Sequence, residues 1–147
     1  MKEGTTDLNL KKDYLDWNDI ENLVKKTSLK IKENNKKYDI IIGIKNGGII
    51  PAKLISRELD IYDIDFISIK KNQMFIYCNF PRNKKYLVID EIYDTGKTFL
   101  AVNKFFNSFE YDFACLISRY RIIDNSKIIT GEILNHNKWI VFPWENR

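Results

Sequence analysis

Two adjacent carboxylates and a short polar loop stand in the middle of the chain, and they have the chemistry to bind a phosphorylated sugar. Asp90 and Glu91 directly follow the apolar run of residues 86–89. Next comes a loop with two hydroxyls and a glycine, just before a segment with helical apolar spacing. Backbone N–H groups at a helix N-terminus bind phosphate, and ionised carboxylates accept hydrogen bonds from hydroxyls. We therefore predict a ribose 5-phosphate site, with the acid pair on the sugar diol. The predicted phosphate-binding residues are Asp94, Thr95, Gly96, Lys97 and Thr98.

Two other interpretations of this segment are weaker. Gly96-Lys97-Thr98 completes the pattern of a nucleoside-triphosphate loop, but that pattern requires a glycine where Glu91 stands. A carboxylate there would repel the triphosphate. A simple helix cap explains Asp94 and its threonine neighbour, but it leaves the acid pair at the strand end unexplained.

Alternating helix and strand patterns on either side predict an α/β fold. Asp16 and Asp19 have the spacing of a capping box, and apolar residues at helical spacing follow as far as about Glu33. We expect a mostly parallel sheet with helices on both faces, whose carboxyl edge faces the ligand. The predicted strands are residues 38–44, 66–69, 86–89 and 113–117, with an antiparallel arm at 74–78, and further helices are predicted at 50–59 and from residue 99.

The two ends of the chain have different patterns. Residues 1–13 are polar and predict a frayed start, and residues 124–137 predict an irregular segment. Residues 138–145 are unusually aromatic, and two tryptophans exposed together would be a costly surface. We expect this tail to pack as a small C-terminal hood.

A second loop, Lys45-Asn-Gly-Gly48, follows the strand predicted at residues 38–44. Paired glycines allow a backbone to approach a ligand closely, although a helix-capping turn explains them equally well by themselves.

Composition limits the class of protein. With 147 residues, 44% of them hydrophobic, the chain is expected to form one domain over residues 1–147. The lysines behind the net charge of +4 are scattered among acids, so no nucleic-acid-binding stripe is predicted, and no apolar run is long enough for a membrane span. Cys78 and Cys115 are expected to be buried free thiols in a reducing compartment, which favours a cytoplasmic protein. A single histidine, His136, offers no zinc site.

Three segments resemble one family of enzymes. Residues 87–98, Leu-Val-Ile-Asp-Glu-Ile-Tyr-Asp-Thr-Gly-Lys-Thr, resemble the phosphoribosyl-pyrophosphate (PRPP) motif of the type I phosphoribosyltransferases. Residues 43–59 resemble the pyrophosphate loop and following helix of the xanthine-guanine type, although Asn46 stands where those enzymes usually carry Lys or Arg. Residues 139–145 resemble the tail of the same enzymes. The resemblance covers nearly the whole chain and is strongest in the PRPP motif.

The resemblance implies one activity for the chain and a part of the substrate for each segment to bind. It implies transfer of the 5-phosphoribosyl group from PRPP to guanine, hypoxanthine or xanthine, with release of pyrophosphate and Mg²⁺ as the cofactor. Asp94 would then accept or hold the proton on the purine N7. We also expect a homo-oligomer, a dimer or a tetramer. The predicted pyrophosphate-binding residues are Lys45, Asn46, Gly47 and Gly48. The predicted base-binding residues are Arg119, Trp139, Ile140 and Glu145, and the predicted metal ligands are Asp90, Glu91 and Glu145. Trp144 is expected to serve core packing.

Two departures from the family pattern support a second interpretation. Asn46 removes a cation from the pyrophosphate loop, and only residues 70–73 stand where family members carry a flexible lid. A short lid excludes water poorly. A regulatory protein that binds PRPP or a nucleotide without turnover is therefore the alternative.

Overall fold

Eight strands and three helices are present in the described residues, 11–119 and 126–145, of the computed structural model. The strands are β1 (Lys12–Tyr14), β2 (Ile40–Lys45), β3 (Ile64–Lys70), β4 (Gln73–Ile76), β5 (Lys85–Tyr93), β6 (Glu110–Ser118), β7 (Ile128–Ile133) and β8 (Trp139–Val141). The helices are α1 (Trp17–Glu33), α2 (Ile49–Leu59) and α3 (Lys97–Phe106).

Six of the strands form the main sheet in the order β4-β3-β2-β5-β6-β7. Every pairing in it is parallel except that of β3 with β4, which is antiparallel. The predicted mostly parallel sheet with one antiparallel arm is therefore confirmed. A strand order that places β2, β5 and β6 side by side brings their carboxyl ends to one edge.

The three helices cover both faces of the sheet, as predicted. Side chains alternate across β5, so that Leu87 and Ile89 join the core beneath α1 and α2 while Tyr86 and Val88 join the core beneath α3. Both sets are fully buried, which explains the nearly continuous apolar run in the sequence. No helix in the described ranges is long and apolar enough to cross a membrane.

Helix α1 begins at the predicted capping box. The Asp16 carboxylate accepts a hydrogen bond from the Asp19 N–H, and the Asp19 carboxylate accepts one from the Asp16 N–H. The helix packs closely against β7, where a Cβ on Gly131 would lie 2.3 Å from the Thr27 hydroxyl oxygen. A glycine in β7 therefore permits this close approach of helix and sheet.

Four local predictions are wrong. Strand β5 does not end before the acid pair but continues to Tyr93, because parallel pairing with β6 carries it onward. Residues 128–133 are not irregular, since they form β7 beside β6. Residues 12 and 13 are not frayed, because β1 pairs with β8, while residues 1–10 lie outside the described part. Cys78 is exposed rather than buried, whereas Cys115 is buried as predicted.

The small hood is a two-stranded parallel sheet of β1 and β8. It therefore uses the N-terminal segment as well as the predicted C-terminal tail. Trp144 stacks on Phe142 with ring centroids 4.9 Å apart and packs against the core, as predicted.

A tight turn joins β3 to β4, at the position where family members carry a flexible lid and the sequence predicts only a short connection. Lys70 and Gln73 pair across the hairpin, and the two residues between them, Lys71 and Asn72, have φ values of 52° and 62°. Positive φ at both central residues is the geometry of a two-residue type I′ turn. Residues 70–73 are thus a compact hairpin turn.

A buried tyrosine–carboxylate contact gives a stability prediction. Tyr38 is buried and donates its hydroxyl to Asp112, which is 2% exposed and also bonded to Lys36 Nζ at 3.1 Å. Tyr38→Phe leaves a buried carboxylate short of one donor, so urea unfolding should show a loss of about 1–3 kcal/mol. Tyr62→Phe is the matched control, because its exposed hydroxyl donates to Asp60, and it should cost less than about 0.5 kcal/mol. Equal effects of the two substitutions would contradict this account.

Candidate active site

The acid pair lies at the carboxyl end of β5, where successive side chains point to opposite faces. Asp90 pairs with Cys115 of β6 and is only 6% exposed. Its Oδ1 accepts a hydrogen bond from the Glu91 N–H at 2.9 Å. Glu91 is half-buried and points toward the second loop, as described below.

Burial makes the Asp90 carboxylate costly to ionise. Burial raises the pKa of Asp90 well above its usual value of 3.8. A side-chain hydrogen bond with Glu91 and the negative charge of Glu91 raise this pKa further, whereas the hydrogen bond from the Glu91 N–H acts in the opposite direction. A nearby cation would favour the ionised pair. The strand end is therefore suited to a ligand that brings positive charge or hydrogen-bond donors.

The predicted phosphate loop lies beside the acid pair. Gly96 precedes α3 with φ of 88°, a left-handed conformation that glycine adopts without strain, and a Cβ there would lie 2.7 Å from the Tyr93 hydroxyl. Thr95 Oγ1 accepts a hydrogen bond from the Lys97 N–H at 3.4 Å. Most of the residues predicted to bind the ribose 5-phosphate line one cavity of about 140 Å³. It is lined by Asp90, Glu91, Ile92, Tyr93, Asp94, Thr95, Gly96, Thr98, Phe99 and Phe113.

The glycine loop between β2 and α2 approaches the acid pair directly. A Cβ on Gly47 would lie 1.5 Å from Glu91 Oε2, and one on Gly48 would lie 2.6 Å from the carbonyl oxygens of Ile44 and Ile89. Gly48 has an ordinary negative φ, so close approach explains why glycine is needed there. The Lys45–Asn46 peptide bond in this loop is cis. The structure therefore brings the glycine loop against the acid pair.

Arg119 links the phosphate loop to the hood. Its Nε lies 3.4 Å from Asp94 Oδ1, and its Nη1 donates to the Lys138 carbonyl at 2.6 Å. The Arg119 side chain is only 13% exposed, whereas that of Asp94 is 49% exposed. The guanidinium is therefore held in place while the carboxylate keeps access to solvent.

The hood residues differ in what they can offer a ligand. Trp139 is half exposed, so its ring can still be covered by another molecule. The Ile140 side chain is buried in the core, which leaves its backbone as the part able to contact a base. Glu145 Oε1 accepts a hydrogen bond from the Phe142 N–H at 2.9 Å and thereby closes the last described turn.

The predicted metal ligands do not form one cluster. Among the described residues no three His, Cys, Asp or Glu side chains are grouped so that they could hold a metal ion, so Glu145 does not join Asp90 and Glu91. Mg²⁺ is commonly bound through one or two carboxylates, with water and substrate phosphates completing the shell. Asp90 and Glu91 fit this arrangement, in which two carboxylates are the only protein ligands.

One contact at this edge had no signal in the sequence. Lys45 Nζ lies over the Tyr77 ring, 4.5 Å from its centroid, and the Tyr77 hydroxyl is 2.7 Å from Ser68 Oγ. Tyr77 follows β4 as an exposed residue, and nothing in its local pattern indicates a partner on another strand.

A larger cavity lies away from these residues. A groove of about 630 Å³ between α1 and α2 is lined by Trp17, Ile20, Glu21, Val24, Lys25, Ile50, Leu54, Arg57, Glu58 and Tyr62. It contains neither loop nor acid pair. Size alone is thus a poor guide here, because a phosphate site is built from backbone N–H groups and charges at a strand edge.

Known proteins resemble the chain over most of its length. It is 33% identical over 113 residues to the xanthine-guanine phosphoribosyltransferase of Desulfotalea psychrophila, covering 71% of this chain and 69% of the relative. The enzyme of the same name from Nitratidesulfovibrio vulgaris is 29% identical over 141 residues, covering 88% and 82%. The crystal structure of a purine phosphoribosyltransferase from Pyrococcus horikoshii matches with a TM-score of 0.75 and 29% identity, covering 94% of this chain and 96% of that one. No family model matches the chain.

The raised pKa of Asp90 predicts a pH-dependent stability. The folded protein keeps a proton on this group that the unfolded chain releases, so its contribution declines as the pH rises from about 4 through the folded pKa. Asp90→Asn cannot ionise, so the variant should gain stability relative to the wild type as the pH rises. Urea unfolding across a pH series measures this difference, with the exposed Asp63→Asn as the control. Parallel pH curves for Asp90→Asn and the wild type would show that burial does not penalise this carboxylate.

Proposed function

Because the chain belongs to the purine phosphoribosyltransferase family, we propose that it transfers the 5-phosphoribosyl group of PRPP to a 6-oxopurine base and releases pyrophosphate. The family predicted from the PRPP motif is thereby confirmed. The observation that carries the site assignment is the shared position of the acid pair, the phosphate loop and the glycine loop at one edge of the sheet.

Each part of PRPP has a suitable partner at this edge. The loop residues 94–98 offer N–H and hydroxyl groups to the 5-phosphate at the start of α3. Asp90 and Glu91 accept hydrogen bonds from the ribose diol. Because Gly47 has no side chain, the glycine loop lies directly against Glu91, and the backbone of this loop would hold the diphosphate on the ribose. The sugar thus spans the gap between the two loops.

The reaction needs charge stabilisation more than covalent chemistry. Departure of pyrophosphate gives the ribose oxocarbenium character, which nearby carboxylates stabilise. Mg²⁺, held by Asp90 and Glu91 together with the diphosphate, would neutralise the leaving group. Asp94, which is exposed and lies next to Arg119, would accept or hold the proton of the purine N7.

Arg119 is the proposed determinant of base choice. Its guanidinium only donates hydrogen bonds, so it can bond to the 6-oxo group of guanine, hypoxanthine or xanthine but not to the 6-amino group of adenine. The half-exposed Trp139 can stack on any purine. Glu145, or a backbone carbonyl near it, would accept from a 2-amino group, which would make guanine the preferred base.

A binding protein without turnover remains the second candidate. Asn46 leaves Lys45 as the one cation of residues 45–48, and the tight turn at residues 70–73 provides no lid. Formation of nucleoside monophosphate separates the two functions. We also propose a cytoplasmic homo-oligomer, a dimer or tetramer, which sedimentation of the purified protein would measure.

Base choice is the first test of this function. With Mg²⁺ and PRPP, purified protein should convert guanine, hypoxanthine and xanthine, with guanine fastest. The kcat/KM for adenine should be lower by roughly 10⁴-fold, because a buried donor facing a donor stays unpaired. Arg119→Met, which keeps the length but not the charge, should erase most of this discrimination. Equal turnover of adenine and guanine by the wild type would refute the role of Arg119, and the absence of any product would leave the binding protein as the function.

The proton role of Asp94 gives a second test. Asp94→Asn should lower kcat by about 10²- to 10⁴-fold, because the amide cannot take up the N7 proton, while calorimetric binding of PRPP changes little. Asp63→Asn is the control, since this exposed carboxylate lies at the amino end of β3. Loss of PRPP binding with kcat retained would make Asp94 a helix cap instead.

A further inference from the structure

An aromatic ring holds the one cation of the glycine loop. Lys45 is the last residue of β2, and its Nζ lies 4.5 Å from the centroid of the Tyr77 ring. An ammonium at this distance over a ring face is a cation–π contact. The contact joins the glycine loop, through Lys45, to the segment after β4, through Tyr77.

Neighbouring strands fix the position of the ring. The Tyr77 hydroxyl is 2.7 Å from Ser68 Oγ, and Ser68 is 5% exposed. Ser68 also pairs with Lys45 in the parallel ladder of β2 and β3, so the two side chains lie on the same face. The tight turn at residues 70–73 restrains β4 against β3. The Tyr77 hydroxyl is therefore held by a buried serine, Ser68, on a hairpin whose turn restrains both strands.

Because its partner is the Tyr77 ring, the Lys45 ammonium keeps its N–H donors for a ligand. A carboxylate would take up N–H donors and cancel the charge, whereas a ring face attracts the cation without accepting those hydrogen bonds in the same way. The ammonium can therefore still donate to an anion. Lys45 is exposed and Tyr77 is 61% exposed, so a ligand can reach the pair.

We propose that Tyr77 is a positioning residue that holds Lys45 toward the pyrophosphate of PRPP, and that this pair supplies the cation missing at Asn46. The proposal rests on the proposed function for the identity of the anion. It adds to that function a residue, Tyr77, that lies outside both loops and the acid pair. The rigid hairpin thus acts through Lys45 where no flexible lid is present.

Four variants test the coupling: Tyr77→Ala, Tyr77→Phe, Lys45→Ala and the double variant with both alanines. Loss of the ring should raise the KM for PRPP and the Kd of magnesium pyrophosphate by about two- to fivefold, the factor expected of an exposed cation–π pair, with little change in kcat. Tyr77→Phe keeps the ring but loses the Ser68 contact that holds it, so its affinity should lie between those of the wild type and Tyr77→Ala. In the Lys45→Ala background, removing Tyr77 should have almost no further effect.

Phe75→Ala is the matched control, because Phe75 is also an exposed aromatic residue on the same hairpin. Its pyrophosphate affinity should equal that of the wild type. Independent, additive effects of Tyr77 and Lys45, or an unchanged Kd in Tyr77→Ala, would overturn the proposal. Tyr77→Leu replaces the alanine variant if the latter does not fold.

Direct calorimetry separates this proposal from the proposed function. If the wild type binds magnesium pyrophosphate but makes no nucleotide, transfer fails and the coupling measurement still decides the role of Tyr77. If the wild type makes nucleotide but the double-variant cycle is additive, only the role of Tyr77 fails.

Discussion

Parallel pairing of β2, β5 and β6 is the constraint on which the site depends. It places the ends of three strands along one edge, so that the glycine loop after β2, the acid pair of β5 and Arg119 after β6 become neighbours. These groups are far apart in the sequence. The apolar run that buries β5 on both faces is therefore also what holds the acidic groups in position.

Placing two adjacent acids at the end of a buried strand creates an electrostatic cost. Asp90 is buried next to Glu91, and its pKa is raised as a result. The two cations of this edge have other partners, since Arg119 pairs with Asp94 and Lys45 lies over the Tyr77 ring. Under the proposed function, a ligand that brings Mg²⁺ and sugar hydroxyls would relieve this cost and would let an anion bind beside the acid pair.

Local patterns were enough to predict most of the framework. The capping box and apolar stripe of α1, the buried core of β5 and the loop before α3 all depend on neighbouring residues, and each is present as predicted. The PRPP motif could be identified for the same reason. The likeness to purine phosphoribosyltransferases confirms the family that this motif predicted.

Features that depend on pairing across the fold were missed. Strand β7 contains a glycine and exposed side chains, and only its place beside β6 makes it a strand. The charged end of β5 had the sequence of a loop, yet the ladder to β6 extends it to Tyr93. Tyr77 could not be assigned to Lys45, because the contact crosses from the β3–β4 hairpin to β2. Side-chain direction in the hood, which buries Ile140, likewise follows from the pairing of β1 with β8.

A crystal structure of the protein with guanosine 5′-monophosphate and Mg²⁺ tests the central claim most directly. The account predicts that the phosphate lies at residues 94–98, with the ribose hydroxyls on Asp90 and Glu91 and the purine between Arg119 and Trp139. A nucleotide bound in the groove between α1 and α2, or a phosphate that does not contact residues 94–98, would contradict it.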